Sequence, residues 1–423
     1  MPDARRFLRL LFDTAVAAVQ AENLIPGSLP SRPKGKTIVI GAGKAAAAMA
    51  RAVEDNWSGE LSGLVITPYG HSVACDQIEV VEAAHPVPDA AGSKAAHRIL
   101  TIAGNLADDD LVLCLLSGGA SALLPVPAEG ISFQDKQSIT GELLRCGADI
   151  VEINCVRRHL SAIKGGRLAA ACSPVGIVTL AISDVPGNDA SSIGSGPTVA
   201  DATSPGTATE ILQRYMLCIP DNVMKHLESQ AAETLKSGNP VFDNTSIDIL
   251  ATSDDAMNAA AGLARELKVE PLVLGDLQGD AVELAQEHAE LAKRIETGEG
   301  PVRPPCVLIS GGETTVKVRG TGRGGRNSEY SLALALALEG HPGIYAIACD
   351  TDGIDGTEDN AGCYVTPASL QRAHEQSIDA IALLRENDSY RFFSELGDLV
   401  VTGPTRTNVN DFRAILIDAR ISP

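Results

Sequence analysis

The residues with the clearest chemical potential lie in a turn near the N-terminus. An apolar, β-branched run at residues 38–40 leads into Gly41-Ala42-Gly43-Lys44 and then into an alanine-rich segment typical of a helix. Glycines at a strand-to-helix turn let the backbone approach a phosphate closely, and the N-terminus of a helix attracts anions. Lys44 adds a positive charge there. The turn therefore predicts a strongly anionic ligand bound by Gly41, Gly43 and Lys44, with a solvent-facing lysine on an ordinary turn as the alternative.

The same turn also satisfies the Gly-x-Gly-x-x-Ala fingerprint of dinucleotide-binding proteins, through Gly41, Gly43 and Ala46. That fingerprint expects an acidic residue at the end of the next strand, where it binds a ribose hydroxyl. Here the next predicted strand ends in the sequence PYG at residues 68–70. The missing acid weighs against NAD as the ligand.

A second cationic stretch precedes a predicted helix in the C-terminal half. Lys317, Arg319, Arg323 and Arg326 fall within ten residues that also contain four glycines. Arginine binds phosphate and carboxylate oxygens in a bidentate manner, so this run predicts an anion-binding loop. The alternative is a flexible, solvated loop.

Acidic residues follow two predicted strands. Asp184 and Asp189 come after the strand at residues 176–182, and Asp350 and Asp352 after the strand at residues 344–348. The spacing does not match a calcium-binding EF-hand, whereas Mg²⁺ typically uses one or two carboxylates together with substrate phosphates. Asp184, Asp350 and Asp352 are therefore candidate metal ligands, and Asp189 is a candidate for orienting a reacting hydroxyl. Carboxylates that cap turns are the alternative.

One short motif occurs twice in the sequence, as LLSGGAS at residues 115–121 and as LISGGET at residues 308–314. Each is a predicted strand that ends in Ser-Gly-Gly, and ligands of open α/β sheets bind beyond the carboxyl ends of strands. This repeated motif and a nearby basic segment, RRHLSAIKGGRLA, supply further candidate ligand-binding residues: Ser117, Gly118, Gly119, Ser121, Lys164, Gly311, Gly312 and Glu313. A serine hydrolase is not indicated, because G-x-S-x-G is absent. His159 in the basic segment is interpreted mainly as a packing residue, with general-base catalysis as the alternative.

Strands and helices alternate from about residue 37 to residue 199, which predicts an α/β fold with a doubly wound parallel sheet. After a helical stretch and the polar linker SGNPVFDNTS, strands and helices resume at residue 247. We therefore expect two domains, at residues 1–240 and 241–423, of which the second is the shorter.

The composition excludes several functional classes. A formal net charge of −20 and a pI near 4.8 argue against nucleic acid as a partner, since phosphate-backbone binding needs a basic surface. The nine cysteines form no C-x-x-C pair, so neither a zinc site nor a disulfide framework is indicated and a reducing cytoplasm is expected. The N-terminal segment is interpreted as an amphipathic helix rather than a signal peptide, and no apolar run is long enough for a membrane span.

Nine phrases along the chain, among them GAGKAAAAMA, HPVPDAAG, LLSGGASALL, ISDVPGNDASSIGSGPT, GRGGRNSEYSLALA and TGPTRTNVNDF, resemble the class II glycerate kinases. These are glycerate 2-kinases with a C-terminal MOFRL domain. The resemblance covers essentially the whole chain. It implies a Rossmann-like N-terminal domain, a smaller C-terminal α/β domain with a mixed sheet, and a cleft between them. Arg406 is a departure, at a position where many relatives have glycine.

The resemblance also implies an activity, the transfer of the γ-phosphoryl group of ATP, with Mg²⁺, to the 2-hydroxyl of D-glycerate. Lys44 and Arg326 match the two catalytic positions of the family. The alternative is an NAD(P)H-dependent reductase of hydroxypyruvate or tartronate semialdehyde, a label that bacterial relatives also carry. A non-catalytic module that binds anions is a third hypothesis. The oligomeric state, including a homodimer, stays open.

Overall fold

The protein divides into two compact units, and the computed structural model describes residues 3–418. The first unit spans Ala21–Leu250, and the second combines residues 3–20 with residues 251–418. This division differs from the predicted one at residue 240 in two respects. Helix α1 (Ala4–Ala18) belongs to the second unit, and the first unit continues ten residues further along the chain.

The first unit is built on a sheet in the order β3-β2-β1-β4-β5-β6. Its strands are β1 Thr37–Ala42, β2 Leu61–Pro68, β3 Ile78–Ala83, β4 Leu111–Leu116, β5 Gly176–Ile182 and β6 Thr245–Ala251. Strand β1 pairs in parallel with β2 and β4, β2 with β3, and β4 with β5. The direction in which strands are added reverses between β1 and β4, and ligands of such sheets bind in the crevice at that point. The predicted Rossmann-like parallel sheet is confirmed.

Helices cover this sheet and form a helical layer beside it. They are α2 Ala21–Leu24, α3 Ala46–Asn56, α4 Ala90–Ala103, α5 Ala120–Leu123, α6 Phe133–Arg145, α7 Ile150–His159, α8 Arg167–Cys172, α9 Pro205–Arg214 and α10 Asp221–Leu227. One apolar core joins the sheet to α4, α5 and α8. A separate core joins α6, α7, α9 and α10. The strand expected to open the second domain, at residues 247–251, is instead β6 at the edge of the first sheet.

The second unit has a mixed sheet in the order β13-β12-β11-β14-β9-β7, as predicted. Its strands are β7 Glu270–Asp276, β8 Gly279–Asp280, β9 Cys306–Gly311, β10 Thr314–Thr315, β11 Ile344–Asp350, β12 Gly362–Val365, β13 Leu399–Val400 and β14 Asp411–Ile417. Strands β7 and β9 are parallel, and β14 runs antiparallel to both β9 and β11. The short strand β10 follows β9 closely in sequence but pairs with β8.

The helices of the second unit are α11 Ser253–Glu266, α12 Ala281–Glu296, α13 Arg326–Leu338, α14 Ser369–Glu375, α15 Ala380–Arg385 and α16 Ser389–Leu396. Helix α13 is buried on nearly every side, and its apolar residues join the main core of this unit. Between residues 3 and 418, the helices are all too short or too polar to cross a membrane.

Helix α1 completes the second unit from the far end of the chain. It packs on α11, β11 and β14, and its buried face includes Phe7, Leu8, Leu11 and Phe12. The rings of Phe12 and Phe412 lie 6.0 Å apart between centroids. The amphipathic helix predicted for this segment is confirmed, but its partner lies about four hundred residues away in sequence, beyond the reach of local pattern analysis.

We expect Phe12→Ala to destabilise the second unit by about 3–5 kcal/mol, because it opens a cavity in a closely packed core. Thermal unfolding and hydrogen exchange of the β14 amides would measure the loss. Leu10→Ala in the same helix is the matched control, since Leu10 is 45% exposed. Equal effects of the two substitutions would contradict the packing role of α1.

Candidate active site

The turn that contains Lys44 is joined to the turn after β4 by two hydrogen bonds. The Lys44 amide donates to the Gly118 carbonyl at 2.8 Å, and the Ala45 amide donates to the Ser117 hydroxyl at 2.9 Å. Both turns lie at the carboxyl ends of β1 and β4, where the strand order reverses. The structure thus brings the GAGK and SGGAS segments together, at the N-terminus of α3, in the crevice that the fold makes available for a ligand.

The glycines of these turns are required by close packing. Gly43 has a φ of +140°, and a Cβ atom there would lie 2.1 Å from the Ser117 hydroxyl oxygen. Gly119 has a φ of +83°, and a Cβ atom would lie 2.9 Å from the ring of His85. Gly41 likewise approaches the Leu115 carbonyl. The tight approach of β1 to β4 is therefore a sufficient physical reason for Gly41 and Gly43, and the His85 ring is one for Gly119, independent of any ligand.

The two serines have structural partners. The Ser117 hydroxyl is buried and accepts the Ala45 amide, whereas the Ser121 hydroxyl lies 2.8 Å from that of Ser195. Ser195 in turn donates to the Asn154 side-chain oxygen at 3.1 Å. These bonds account for both serine hydroxyls.

Lys164 lies in the same crevice. Its ammonium group is buried and donates to the carbonyls of Ser121 at 2.8 Å and Gly194 at 3.3 Å. Burial lowers the pKa of Lys164 well below its ordinary value, and the nearby Lys136 and Arg157 lower this pKa further. A bound anion would stabilise the charged form of a lysine in such surroundings.

The loop after β5 holds Asp184 and Asp189. Asp189 is exposed and accepts the Ser191 amide at 3.1 Å and the hydroxyls of Ser191 and Ser192 at 2.6 and 2.9 Å. Partial burial raises the pKa of Asp189, but these hydrogen bonds outweigh that effect, so the pKa lies below its ordinary value. Asp189 is therefore ionised at neutral pH and held in a fixed orientation, as a residue that positions a hydroxyl requires.

His159 is a packing residue. Its ring is fully buried, with Nδ1 2.9 Å from the Ala232 carbonyl and Nε2 3.1 Å from the Thr203 hydroxyl. Burial lowers the pKa of His159. Arg158 beside it pairs with Asp201 at 3.1 Å. These contacts tie α7 to the neighbouring helices and leave the histidine away from solvent.

Arg326 in the second unit is surrounded by carboxylates. Its three guanidinium nitrogens donate to Asp411, Glu313 and Asp350, each at 2.7 Å. Burial opposes the charge, but the three carboxylates raise the pKa of Arg326 above its ordinary value. Asp350 and Asp411 lie directly opposite each other in the β11–β14 register, where two like charges would repel. Arg326 compensates that repulsion.

Asp411 is the residue of this cluster that the sequence did not single out. It also accepts the Asn327 side-chain amide at 2.7 Å and contacts Arg413. Its position within the phrase TNVNDF, next to the closing strand, is the one signal that could have indicated it. Its contact with Arg326 arises from strand register, across more than eighty residues.

Four further candidate residues of the second unit, Gly311, Gly312, Asp350 and Asp352, make close contacts or hydrogen bonds within the protein. Gly312 has a φ of +88°, and a Cβ atom there would lie 2.3 Å from the Leu277 carbonyl. A Cβ atom on Gly311 would lie 2.2 Å from the Ser253 hydroxyl. The Asp352 carboxylate accepts the Ile354 amide at 2.8 Å, and the Asp350 carboxylate accepts the Asp352 amide at 3.0 Å.

The basic run before α13 is exposed, but carboxylates pair with most of its cations. Lys317 pairs with Glu283 at 3.0 Å, and Arg323 pairs with Glu358 and lies over the ring of Tyr390. With Arg326 already paired to three acids, the predicted concentration of positive charge is largely neutralised by neighbouring carboxylates. The sequence could not show this, because the paired acids come from distant parts of the chain.

A metal site is not evident from the side chains alone. Asp350 and Asp352 share one loop of the second unit, whereas Asp184 belongs to the first. Among the side chains of residues 3–418, no group of three or more acidic, histidine or cysteine residues is arranged to hold a metal ion. A magnesium site completed by substrate phosphates and water needs fewer protein ligands, so the predicted role of these aspartates stays a prediction.

Arg406 adopts a φ of +64° in the loop before β14. This left-handed conformation favours glycine. The side chain itself is exposed.

Asp355 caps helix α13. Its carboxylate accepts the amides of Asn327 and Ser328 at 2.9 and 2.8 Å and the Ser328 hydroxyl at 2.6 Å. We expect Asp355→Ala to lower the free energy of unfolding by about 1–3 kcal/mol, because buried donors lose their acceptor. Asp359→Ala is the control, as Asp359 is exposed in the same loop. Thermal denaturation of both variants measures the difference, and equal stability would contradict the capping role.

Comparison with known families gives matches in both halves of the chain. Residues 7–228 match the family described as a domain of unknown function, DUF4147. Residues 306–411 match the MOFRL family. The first match includes the Lys44 turn, and the second includes Arg326 and Asp411.

Full-length relatives carry two kinds of name. A protein of Agrobacterium vitis, provisionally named a hydroxypyruvate reductase, is 49% identical over 98% of this chain and 94% of its own length. The D-glycerate 2-kinase of Thermotoga maritima is 36% identical over 94% of each chain. A crystal structure of a glycerate kinase from Thermotoga maritima superposes with a TM-score of 0.88 at 35% identity, over 98% of this chain and 99% of that one.

Proposed function

The chain belongs to the DUF4147–MOFRL family that includes the glycerate 2-kinases, and we propose that it transfers the γ-phosphoryl group of ATP to the 2-hydroxyl of D-glycerate. The similarity to a D-glycerate 2-kinase along nearly the whole chain carries this proposal. The position of Lys44 supports it, because a cation beside a helix N-terminus at the reversal of strand order suits a phosphorylated ligand.

In this reaction the 2-hydroxyl oxygen of glycerate bonds to the γ-phosphorus, and the bond from that phosphorus to the bridging oxygen breaks to release ADP. Phosphoryl transfer depends mainly on alignment and on stabilising charge in the transition state. We assign charge stabilisation to Lys44 and Arg326. Asp189 orients the hydroxyl and takes its proton, because hydrogen bonds hold its carboxylate ionised and fixed.

Arg326 can contact a phosphate only if it gives up a carboxylate partner. Glu313 is the partner that can leave, since its side chain is 50% exposed, whereas those of Asp350 and Asp411 are 5% and 0% exposed. An exposed ion pair contributes about 0–1 kcal/mol, so exchanging Glu313 for a phosphate oxygen has a small energetic barrier. Asp350 and Asp411 would continue to hold the guanidinium group in place.

The nucleotide is proposed to bind as its magnesium complex, which neutralises charge on the phosphates. Asp184, Asp350 and Asp352 are the proposed ligands, and their oxygen donors fit the preference of Mg²⁺. In the first unit, the backbones of Gly41, Gly43, Gly118 and Gly119, with Ser117, Ser121 and Lys164, are proposed to bind ligand. In the second unit, the same role is proposed for the backbones of Gly311 and Gly312. All nine cysteines are free thiols, which supports a reducing compartment, proposed to be the cytoplasm.

The second candidate function is reduction of hydroxypyruvate, which is favoured by the name of the Agrobacterium vitis relative. Against it, strand β2 ends at Pro68 without the acid that a dinucleotide-binding fold uses for the ribose. The nearby Glu82 on β3 accepts the Gly70 amide at 2.7 Å, so that carboxylate is already engaged in the loop.

Two parallel assays separate these functions. We expect ADP release from ATP and Mg²⁺ that depends on D-glycerate, because the proposed site is built for phosphoryl transfer. The second assay follows NADPH absorbance with hydroxypyruvate, and we expect no change. NADPH consumption without ADP release would show that the protein is a reductase. No signal in either assay would favour a binding protein without catalytic activity.

Lys44→Ala should lower kcat by about 10²–10³-fold, because it removes charge stabilisation from the transition state. Steady-state kinetics measure this, with Lys94→Ala as the control because Lys94 is exposed on α4. Near-normal turnover of Lys44→Ala would remove the proposed role.

Arg326→Gln should lower kcat as well, but it also leaves Asp350 and Asp411 facing each other without their cation. Its kinetics are therefore interpreted together with its thermal stability. Lys44→Ala is the better test of catalysis, because it does not leave two buried carboxylates without their cation.

A further inference from the structure

A cavity of about 140 Å³ lies in the first unit beside Ser121. Its walls combine apolar side chains with three basic residues, and none of its lining residues is acidic. The basic residues are Lys136 on α6, Arg157 on α7 and Lys164 between α7 and α8, and the apolar ones include Pro86, Val87, Pro125 and Phe133. We refer to this cavity, with its three cationic side chains, as the basic pocket.

The two lysines of the basic pocket are buried against neutral carbonyl groups. Lys136 is 7% exposed and donates to the carbonyls of Val126 at 3.1 Å and Pro125 at 3.5 Å. Lys164 is 1% exposed and makes two such bonds, one of them to Ser121. An ammonium group has three donors, and carbonyl oxygens do not neutralise its charge. Each lysine thus retains the capacity to bind an anion.

The nearby acids are engaged elsewhere. Asp135, next to Lys136 in sequence, belongs to the capping box of α6 and accepts the Ser132 hydroxyl at 2.7 Å. Glu152 forms the capping box of α7 and accepts the Tyr215 hydroxyl at 2.6 Å. The charged groups that act on Lys136 are instead the cations Arg157 and Arg167, together with Lys164. Buried cations without a counter-charge are unfavourable unless a ligand compensates them.

We propose that the basic pocket binds the carboxylate group of the glycerate acceptor. This inference rests on the function proposed above. An engineered cavity of about 150 Å³ holds benzene, a molecule similar in size to glycerate, so the basic pocket has room for glycerate. The pocket adjoins the Lys44 turn through Ser121, which follows three residues after Gly118.

Titration calorimetry with Lys136→Met tests the assignment, using D-glycerate and a non-hydrolysable ATP analogue with Mg²⁺ as separate probes. We expect D-glycerate affinity to fall at least about tenfold, because a hydrogen bond to a charged group is lost. Affinity for the ATP analogue should change less than about twofold. Lys94→Met, on the exposed face of α4, is the matched control.

A second readout uses protonation. Burial lowers the pKa of Lys136 to about 7, and Arg157 and Arg167 contribute to that shift. A bound carboxylate raises this pKa again, so D-glycerate binding at about pH 8 should take up protons. Titrations in two buffers of different ionisation enthalpy measure the uptake. We expect less uptake in Lys136→Met than in the wild type.

The outcomes separate this inference from the proposed function. If wild-type protein releases ADP with glycerate while Lys136→Met binds glycerate normally, the basic pocket is not the carboxylate site and the kinase function stands. Selective loss of affinity for the ATP analogue would also overturn the assignment. Wild-type protein that neither binds D-glycerate nor releases ADP would overturn both proposals. Should Lys136→Met fail to fold, Arg157→Gln replaces it with the same expectations, because Arg157 is only half-buried.

Discussion

The close approach of β1 to β4 is the constraint on which the first unit's candidate site depends. The Lys44 amide and the Ser117 hydroxyl take part in the two hydrogen bonds that join the turns after these strands. Those bonds form only if Gly43 carries no side chain, since a Cβ atom would collide with Ser117. The same contact fixes the start of α3, so one packing requirement sets the direction of the helix and the position of the adjacent cation.

The two units handle buried charge in opposite ways. In the first unit, Lys136 and Lys164 are buried against carbonyl groups and have cations as neighbours. In the second, Arg326 is enclosed by three carboxylates. The first arrangement favours an incoming anion, and the second, with excess negative charge, favours a cation or an exchange of partners.

The sequence predicted the parts of the fold that depend on local pattern. Strands β1 and β5 are apolar runs that the sequence predicted at residues 38–40 and 176–182, and the structure has them at Thr37–Ala42 and Gly176–Ile182. The short strands β12 and β13 carry too few residues for a pattern, and β10 pairs with β8 rather than forming a hairpin with β9. Likewise, the contact of Asp411 with Arg326 follows from β11–β14 register, which spacing along the chain does not encode.

The two Ser-Gly-Gly turns show that the same sequence motif does not by itself determine which ligand group a turn can bind. Gly119 and Gly312 have nearly the same φ, +83° and +88°, and both are required by close packing. Their backbones are alike, but the turn containing Gly119 leads into a cavity with three basic side chains, whereas the residue after Gly312 is Glu313, which pairs with Arg326. The motif therefore specifies a tight turn at a strand end, and the surrounding charges decide which ligand group each turn can receive.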